Sequence, residues 1–222
     1  MKGGKTLADL IGCLQSSVAN KKVTLQVIDD AKGQLSDLGF KQYDLKKFPK
    51  LSGTASFSGG VSTSPQSLAE ALLWKLGKWT TYQTFVRNFI DENLQVSSRG
   101  GVVFSAFAKH LQDNENPIYD QHAIRALWAI CKFTEEESQK CKSLLFDGRN
   151  NWKDAGSGDD GSCYVIFVNY VREICDDEEL SNDDLDRLLM PLGQAIKKET
   201  KNGARSPQSE WERFKNLCWP SK

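Results

Sequence analysis

Apolar residues recur three and four positions apart along most of this chain of 222 residues, and this spacing constrains the fold more than any other feature. The first example is the set Leu7, Leu10, Ile11, Leu14 and Val18. Because an α-helix turns once every ~3.6 residues, such side chains share one face that can pack against a core. Repetition of the pattern predicts a mainly α protein in which helices pack on helices.

The predicted helices cover residues near 5–19, 23–39, 65–76, 81–90, 102–112, 121–130, 135–146, 163–175 and 183–198, with a last helix opening at Ser206-Pro207. Two of them also allow a short strand: residues 23–27 alternate in polarity, and residues 164–168 are a continuous apolar run. The helical spacing that follows residue 27 and the helical character of the whole chain favour helices at both. Ser64-Pro65 is predicted to start the third helix as N-cap and first-turn proline.

The composition limits the classes of partner and site. The 29 Lys and Arg residues balance 29 Asp and Glu residues, so a polyanion must be bound by local basic groups or backbone N–H donors. No apolar stretch approaches the ~18–20 residues that span a bilayer, and no signal peptide is evident, so a cytoplasmic protein without a membrane partner is expected. Six cysteines without a C-x-x-C pair predict free thiols, and with only two histidines no metal site or cofactor is expected.

A segment rich in Ser, Gly and Thr, residues 51–64, is predicted to be a flexible linker or loop. It divides the chain into an N-terminal helical part, residues 1–50, and a central helical core, residues 65–146. A C-terminal helical part, residues 147–222, is predicted to pack on that core. Its acidic run, residues 176–179 with Asp183 and Asp184, is expected to face away from any DNA.

A glycine turn lies directly ahead of the helix that starts at Val102. It consists of Ser97, Ser98, Arg99, Gly100 and Gly101. Exposed N–H groups at such a turn, with the partial positive charge of the helix N-terminus, can hold a phosphate. The alternative is an ordinary connection between two helices.

The second feature is Asp120, in the segment from Pro117 to Leu127. An aspartate at the start of a helix is most often an N-cap. However, Gly101 and Asp120 are separated by only one helix and one turn, so the glycine turn and the aspartate can face the same cleft.

Together these features resemble the helix-hairpin-helix superfamily of DNA glycosylases. Asp120, His122 and Arg125 match its Asp-x-His-x-x-Arg pattern, and residues 98–101 lie where its Pro-Gly-Val-Gly hairpin belongs. The lead-in at residues 116–120, Asn-Pro-Ile-Tyr-Asp, is similar to the branch related to 8-oxoguanine glycosylases. The resemblance is concentrated in residues 97–127.

The resemblance implies a two-lobed helical architecture with a central cleft, in which residues 65–146 are the helix-hairpin-helix core. It implies that Asp120 stabilises the oxocarbenium-like state and positions water. The family's nucleophilic lysine would fall near Val102, where there is none, and Lys109 further along is expected to be a solvated charge. A monofunctional glycosylase without lyase activity is therefore expected, a nucleoid-associated monomer acting on double-stranded DNA with a flipped base.

Candidate DNA contacts are residues 97–101, and candidate walls of the base pocket are Trp74, Lys78, Tyr119 and His122. Trp128 is also available for stacking, although tryptophans at helical spacing are more often core residues. The substrate stays open between an oxidised or alkylated base and a hypermodified phage base, and so does the role, repair or phage defence. Two other functions stay open: a non-catalytic helical module that binds DNA or protein, and an unrelated helical regulator in which Asp120 is only a cap.

Overall fold

The structure, a computed structural model, describes residues 6–40, 64–91, 93–96, 101–113, 115–153, 161–176, 180–201 and 207–220. The helices in these ranges are α1 (Leu7–Ala19), α2 (Leu25–Asp37), α3 (Leu68–Lys75), α4 (Trp79–Ile90), α5 (Val102–Gln112), α6 (Gln121–Ile130), α7 (Glu135–Leu145), α8 (Ser162–Cys175), α9 (Asn182–Thr200) and α10 (Glu210–Cys218). The mainly α class is confirmed, and both segments that allowed a strand are helical. Within the described ranges, extended pairing is limited to one isolated bridge between Phe146 and Trp152.

Side-chain caps start most of these helices, because the first backbone N–H groups of a helix lack partners within it. The predicted capping box of Thr134 and Glu137 is confirmed at the start of α7. Two predicted starts are wrong. The cap of α3 is Ser67, which accepts from the N–H of Glu70, and the cap of α10 is Ser209. In both cases a serine two or three residues beyond the Ser-Pro pair supplies the capping oxygen.

Helix α6 is the centre of the main core, with every residue from Ala123 to Ile130 buried. It packs on α1, α7 and α8, and its most extensive contact is with α9. Helix α9 also contacts α2, α8 and α10. The helices of segments 1–50 and 147–222 therefore share one hydrophobic core. The predicted linker, residues 51–64, lies outside the described residues except for Ser64.

A smaller apolar cluster joins α4 and α5. Its buried members are Phe89, Leu94, Ala108 and Leu111. Helix α5 connects this cluster to the main core, where its Val102 and Ala106 are buried. A helix, a turn and a second helix thus precede Asp120, in the order that the sequence predicted.

Helix α3 packs on α4, but not through Leu68, Leu72 and Leu76, whose helical spacing is that of a buried face. Its buried residue is Glu70, whose carboxylate accepts from the Tyr82 hydroxyl at 2.9 Å and from the Gln66 N–H at 2.6 Å. These bonds anchor α3 through a polar side chain, and its leucine face remains exposed to solvent. Leu68 is 90% exposed, and Leu72 and Leu76 are also exposed.

The ring of Trp128 belongs to the hydrophobic core. Trp128 is buried and lies against Trp211, Phe214 and Trp219, with ring centroids 5.1–5.5 Å apart. Its ring is therefore not available to stack on a base. The six cysteines are free thiols, as predicted. No helix in the described part of the chain is long and apolar enough to cross a membrane.

Candidate catalytic site at the start of helix α6

Asp120 is the N-cap of α6, as predicted. Its backbone is extended, and its Oδ1 atom accepts hydrogen bonds from the N–H groups of His122, at 2.7 Å, and Ala123, at 2.8 Å. Oδ2 takes no hydrogen bond from the described residues. The side chain is half-buried. One oxygen is thus held by the helix start while the other is left for an external group.

Asp120 lines a small cavity together with Ile118, Ala123, Asp186 and Met190. The cavity volume is about 10 Å³, which is close to the minimum that holds one water molecule. It is far too small for a nucleobase. Its exposed lining is almost entirely apolar, so it offers few partners to a water, and a flipped base would have to occupy other space.

Asp186, on α9, is a second acidic residue that lines this cavity. It is not among the residues that the sequence predicts for the site. It is 4% exposed, and its Oδ2 atom accepts the Ile118 N–H at 3.0 Å. Burial is the main cause that raises the pKa of Asp186 to about 8; the Ile118 hydrogen bond lowers this pKa, and the negative charges of Asp183 and Asp120 contribute to its rise. The carboxyl is therefore mostly protonated at neutral pH.

The sequence feature that indicates a buried Asp186 is its position in the apolar spacing of α9. It precedes Leu189 by three residues and Gly193 by seven, so it lies on the buried stripe rather than on the solvated face. Asp186 adjoins an acidic run in the sequence, which predicts a solvated, charged surface and consists of residues 176–179, Asp183 and Asp184. An acid at an apolar stripe position is the feature that separates Asp186 from them.

The crossing of α6 and α9 positions the two carboxyls. The helices approach most closely at Gly193, where a Cβ atom would lie 2.0 Å from the carbonyl oxygen of His122. Only glycine permits this distance. Because Asp186 lies two turns before Gly193 and Asp120 lies two residues before His122, this contact sets the place of one carboxyl relative to the other.

His122 and Arg125 brace the same crossing. Arg125 is completely buried, and its Nη1 atom lies 2.9 Å from Nδ1 of His122 and donates to the carbonyl oxygen of Gly193 at 3.2 Å. An arginine can only donate, so Nδ1 of His122 accepts, and the neutral ring carries its proton on Nε2. Burial, followed by the Arg125 charge, lowers the pKa of His122.

The guanidinium of Arg125 also stacks on Trp152, with its carbon 4.3 Å from the ring centroid. Burial lowers its pKa to about 10, although the nearby Asp120 charge acts in the opposite direction. The second and third members of the Asp-x-His-x-x-Arg pattern therefore hold α6 against α9. His122, a predicted base-pocket residue, does not line the cavity described above.

Three other predicted pocket residues also lie away from that cavity. Tyr119 is 1% exposed and packs edge-on against Tyr164 and Phe167, both at 5.4 Å between centroids, so it is a core residue. Its neighbour Asp120 turns the other way because successive residues of an extended segment point to opposite sides. Trp74, on α3, is 59% exposed, and Lys78 is exposed at the start of α4. Neither belongs to the cavity lining.

Four residues of the predicted DNA-binding turn, Ser97, Ser98, Arg99 and Gly100, lie outside the described residues. The fifth, Gly101, is the N-cap of α5. Its φ of 97° is a left-handed value that favours glycine, and Gly101 has no side chain to cap α5. Among the described residues, no side chain accepts from the first N–H groups of α5, which is the condition that a helix start needs to bind an anion.

A scan against protein-family models, a search of curated proteins and a search of solved structures found no match for this chain. The relation to the glycosylase superfamily therefore stays a prediction, carried by residues 97–127. The chemistry of the site has to be argued from the residues themselves.

Proposed function

We propose that this protein is a monofunctional DNA glycosylase that hydrolyses the N-glycosidic bond of a damaged or modified base and leaves an abasic site. One observation carries the proposal: a half-buried carboxylate is held at a helix start by two N–H donors to Oδ1, and its Oδ2 takes no hydrogen bond from the described residues. Helices α4 and α5 directly precede it in the chain. The proposed architecture has two lobes, with a central cleft that admits duplex DNA and Asp120 at its wall.

The proposed reaction needs a carboxylate beside the sugar. As the bond from C1′ to the base nitrogen lengthens, positive charge develops on the deoxyribose, and the Asp120 carboxylate stabilises it. The water oxygen bonds to C1′, the base leaves with the electron pair of the broken bond, and Asp120 accepts a proton from the water. Solvent protonates the released base. The Oδ1 bonds to α6 hold the carboxylate in place throughout.

The environment of the lysines supports water as the nucleophile. Val102, at the position that the resemblance assigns to the nucleophilic lysine, is buried in the main core. Lys109 is half-buried rather than fully solvated as predicted, and its Nζ atom donates to the carbonyl oxygen of Leu94 at 3.4 Å. No amine in these positions faces the Asp120 cavity, so strand cleavage by a lyase step is not expected.

A non-catalytic module that binds DNA or protein is the second candidate. The exposed apolar residues of α3, including Leu68, Leu72 and Trp74, favour it because a cluster of exposed large apolar side chains often marks an interaction surface. The small volume of the cavity at Asp120 is also compatible with it. Base release separates the two candidates.

Asp120→Asn is expected to lower the rate of base release by about 10²–10³-fold, because an amide cannot stabilise the positive charge or accept the proton. The fold should persist, since an asparagine Oδ1 can cap α6 in the same way. The assay measures alkali-labile sites under single-turnover conditions, on duplexes carrying 8-oxoguanine, alkylated purines or uracil and on phage DNA with modified cytosine.

Asp113→Asn is the matched control, since Asp113 is an exposed aspartate at the end of α5 and its Oδ1 contact to the Glu115 N–H can be kept by the amide. It should retain the full rate. Equal rates for Asp120→Asn and wild type would refute the proposal. Tight DNA binding without base release on any substrate would establish the non-catalytic module instead.

Arg99→Ala is expected to weaken DNA binding and to reduce the slope of log affinity against log salt by about one, because one phosphate contact is lost. Fluorescence anisotropy with a short duplex at several salt concentrations measures the slope. Arg149→Ala, at an exposed arginine after α7, is the control and should leave the slope unchanged. An unchanged slope for Arg99→Ala would remove the glycine turn from the DNA interface.

A further inference from the structure

Two lysines converge on one tryptophan ring near the end of the chain. The Nζ atoms of Lys142, on α7, and Lys215, on α10, lie 5.0 and 5.6 Å from the ring centroid of Trp211. Neither ammonium group belongs to an ion pair of the described residues. Glu212 precedes Lys215 by three residues, but its Oε2 atom accepts two hydrogen bonds from the Ser209 cap. Two like charges are thus held beside one ring without a paired carboxylate, and an anion between them would relieve their repulsion.

These side chains line a cleft between α7 and α10. One wall is a single face of α10 and its C-cap, at a spacing of four residues: Trp211, Lys215 and Trp219. The other wall is a face of α7: Glu135, Gln139 and Lys142. The floor is the C-terminal end of α6, where Lys132 adds a third cation. The cleft volume is about 350 Å³, within the range of small-molecule sites, ~300–1,000 Å³.

Trp219 is the exposed aromatic wall of the cleft, with 37% of its surface accessible. Its ring centroid lies 6.5 Å from that of Trp211, at an angle of 67° between the rings. Gln15 fixes its position, because the side-chain amide donates to the carbonyl oxygens of Cys218, at 2.7 Å, and Ala129, at 2.8 Å. These bonds tie the end of α10 to the end of α6. The ring is therefore a pre-formed platform on which a planar group can stack.

We propose that this cleft binds a free nucleotide, with its base on Trp219 and its phosphate between Lys142 and Lys215. A nucleotide carries a planar ring and a phosphate one sugar apart. The cleft offers the two matching features at neighbouring rings, a platform at Trp219 and two ammonium groups at Trp211. This site goes beyond the proposed glycosylase and does not depend on it, because the cleft and Asp120 lie at opposite ends of α6.

The charges of the cleft favour a single nucleotide over a nucleic-acid strand. A groove that follows a strand presents cations in a row, with successive aromatic platforms. Here the two ammonium groups meet at one ring, and Glu135 lines the same cleft. Glu135 opens an acidic turn of α7 that continues with Glu136 and Glu137. These carboxylates would repel a second phosphate, whereas Glu135 can accept a hydrogen bond from a sugar hydroxyl or a base amino group.

The first test is a titration with four probes: nucleoside 5′-monophosphates, the same nucleosides without phosphate, inorganic phosphate, and a single-stranded oligonucleotide without a terminal phosphate. The indole N–H signals of the six tryptophans report where each probe binds. We expect the monophosphates to shift the signals of Trp211 and Trp219, with a dissociation constant below about 1 mM by calorimetry. Nucleosides and inorganic phosphate should bind at least about tenfold more weakly, because each engages only half of the cleft.

Lys142→Gln and Lys215→Gln are each expected to weaken monophosphate binding about tenfold, because one charged contact to the phosphate is lost. Nucleoside binding should not change. Lys140→Gln is the matched control, since Lys140 lies on the same helix, pairs with Glu136 and is not part of the cleft lining. It should bind the monophosphate as wild type does.

Trp219→Leu is expected to weaken monophosphate binding about tenfold or more through loss of stacking. Trp219→Phe keeps an aromatic platform and should retain most of the affinity. Thermal melting by circular dichroism shows whether each variant is folded at the assay temperature. Trp74→Leu, at an exposed tryptophan of α3, is the control and should leave binding unchanged.

Three results would overturn the proposal. The first is that no monophosphate shifts the signals of Trp211 and Trp219. The second is that inorganic phosphate or nucleosides bind as tightly as monophosphates. The third is that the oligonucleotide shifts the same signals at lower concentration, which would make the cleft a strand-binding surface. None of these results affects the proposed glycosylase, and Asp120→Asn should bind the monophosphate like wild type.

Discussion

Gly193→Ala is expected to lower the free energy of unfolding by about 3 kcal/mol or more. The added Cβ would lie 2.0 Å from the carbonyl oxygen of His122, 2.6 Å from its carbonyl carbon and 2.8 Å from its Cα. All three are backbone atoms of α6, so no side-chain rotation can relieve the contact. The helices would have to separate at the most extensive contact of the core.

The sign of this effect is opposite to that of helix propensity. Alanine in a helix interior is favoured over glycine by about 1 kcal/mol. Gly12→Ala in α1 and Gly33→Ala in α2 are therefore matched controls, because each glycine is exposed, helical and has no atom within 4 Å of its added Cβ. Both should be neutral or stabilising.

Urea unfolding followed by circular dichroism measures all three variants. For a chain of this length the expected loss in Gly193→Ala corresponds to a fall in Tm of about 6–12 °C. Base release should fall as well, because a separation of α9 from α6 shifts the start of α6, where Asp120 is held. A Tm equal to that of Gly12→Ala would contradict the close crossing of α6 and α9.

The stability of the protein is expected to fall, relative to Asp186→Asn, as the pH rises from about 4 to about 8. Burial raises the pKa of Asp186 from 3.8 in a free chain to about 8 in the folded protein. Between these values the unfolded chain releases the proton and the folded chain retains it. The stabilising contribution is complete below the unfolded pKa and is lost as the pH rises through the folded pKa.

The accumulated loss is on the order of 5 kcal/mol, since each pKa unit corresponds to ~1.4 kcal/mol. Urea unfolding at pH 4.5, 6, 7.5 and 9 measures it as the difference in unfolding free energy between wild type and Asp186→Asn. The unfolding free energy of wild type, relative to that of Asp186→Asn, should decrease as the pH rises from 4.5 towards 8 and should stay constant above pH 8. Asp183→Asn should follow wild type with a slightly lower midpoint. Parallel curves for wild type and Asp186→Asn would show that Asp186 titrates normally in the folded protein.

Local chemistry determined most of the secondary structure. Each of the ten helices described is predicted from the sequence, most of them from apolar spacing, and the one over residues 163–175 from the helical character of the rest of the chain. The oxygens of Thr134 and Asp120 cap their helices. A cap and its helix lie within four residues of one another, so no distant contact is needed to specify them. The predicted starts at Ser64 and Ser206 are wrong because each segment contains a second serine with equal capping ability.

Which face of a helix is buried depends on elements that are distant in the sequence. Leu68, Leu72 and Leu76 have the spacing of a buried face, yet α3 is anchored through Glu70 and Tyr82. Periodicity shows which residues share a face but not whether another element covers it. Likewise, Tyr119 and His122 adjoin Asp120 in sequence, but packing assigns Tyr119 to the core and His122 to the contact with α9.

The sequence by itself determined the mainly α class and the place of Asp120 at the start of α6. That Asp120 and Asp186 line the same small cavity was decided by the tertiary structure alone. The two residues lie on different helices, and the packing of α6 on α9, in which Gly193 contacts the backbone of His122, brings both to that cavity. Local sequence specifies hydrogen bonds within a turn of helix, whereas the crossing of two helices depends on the packing of their whole buried faces.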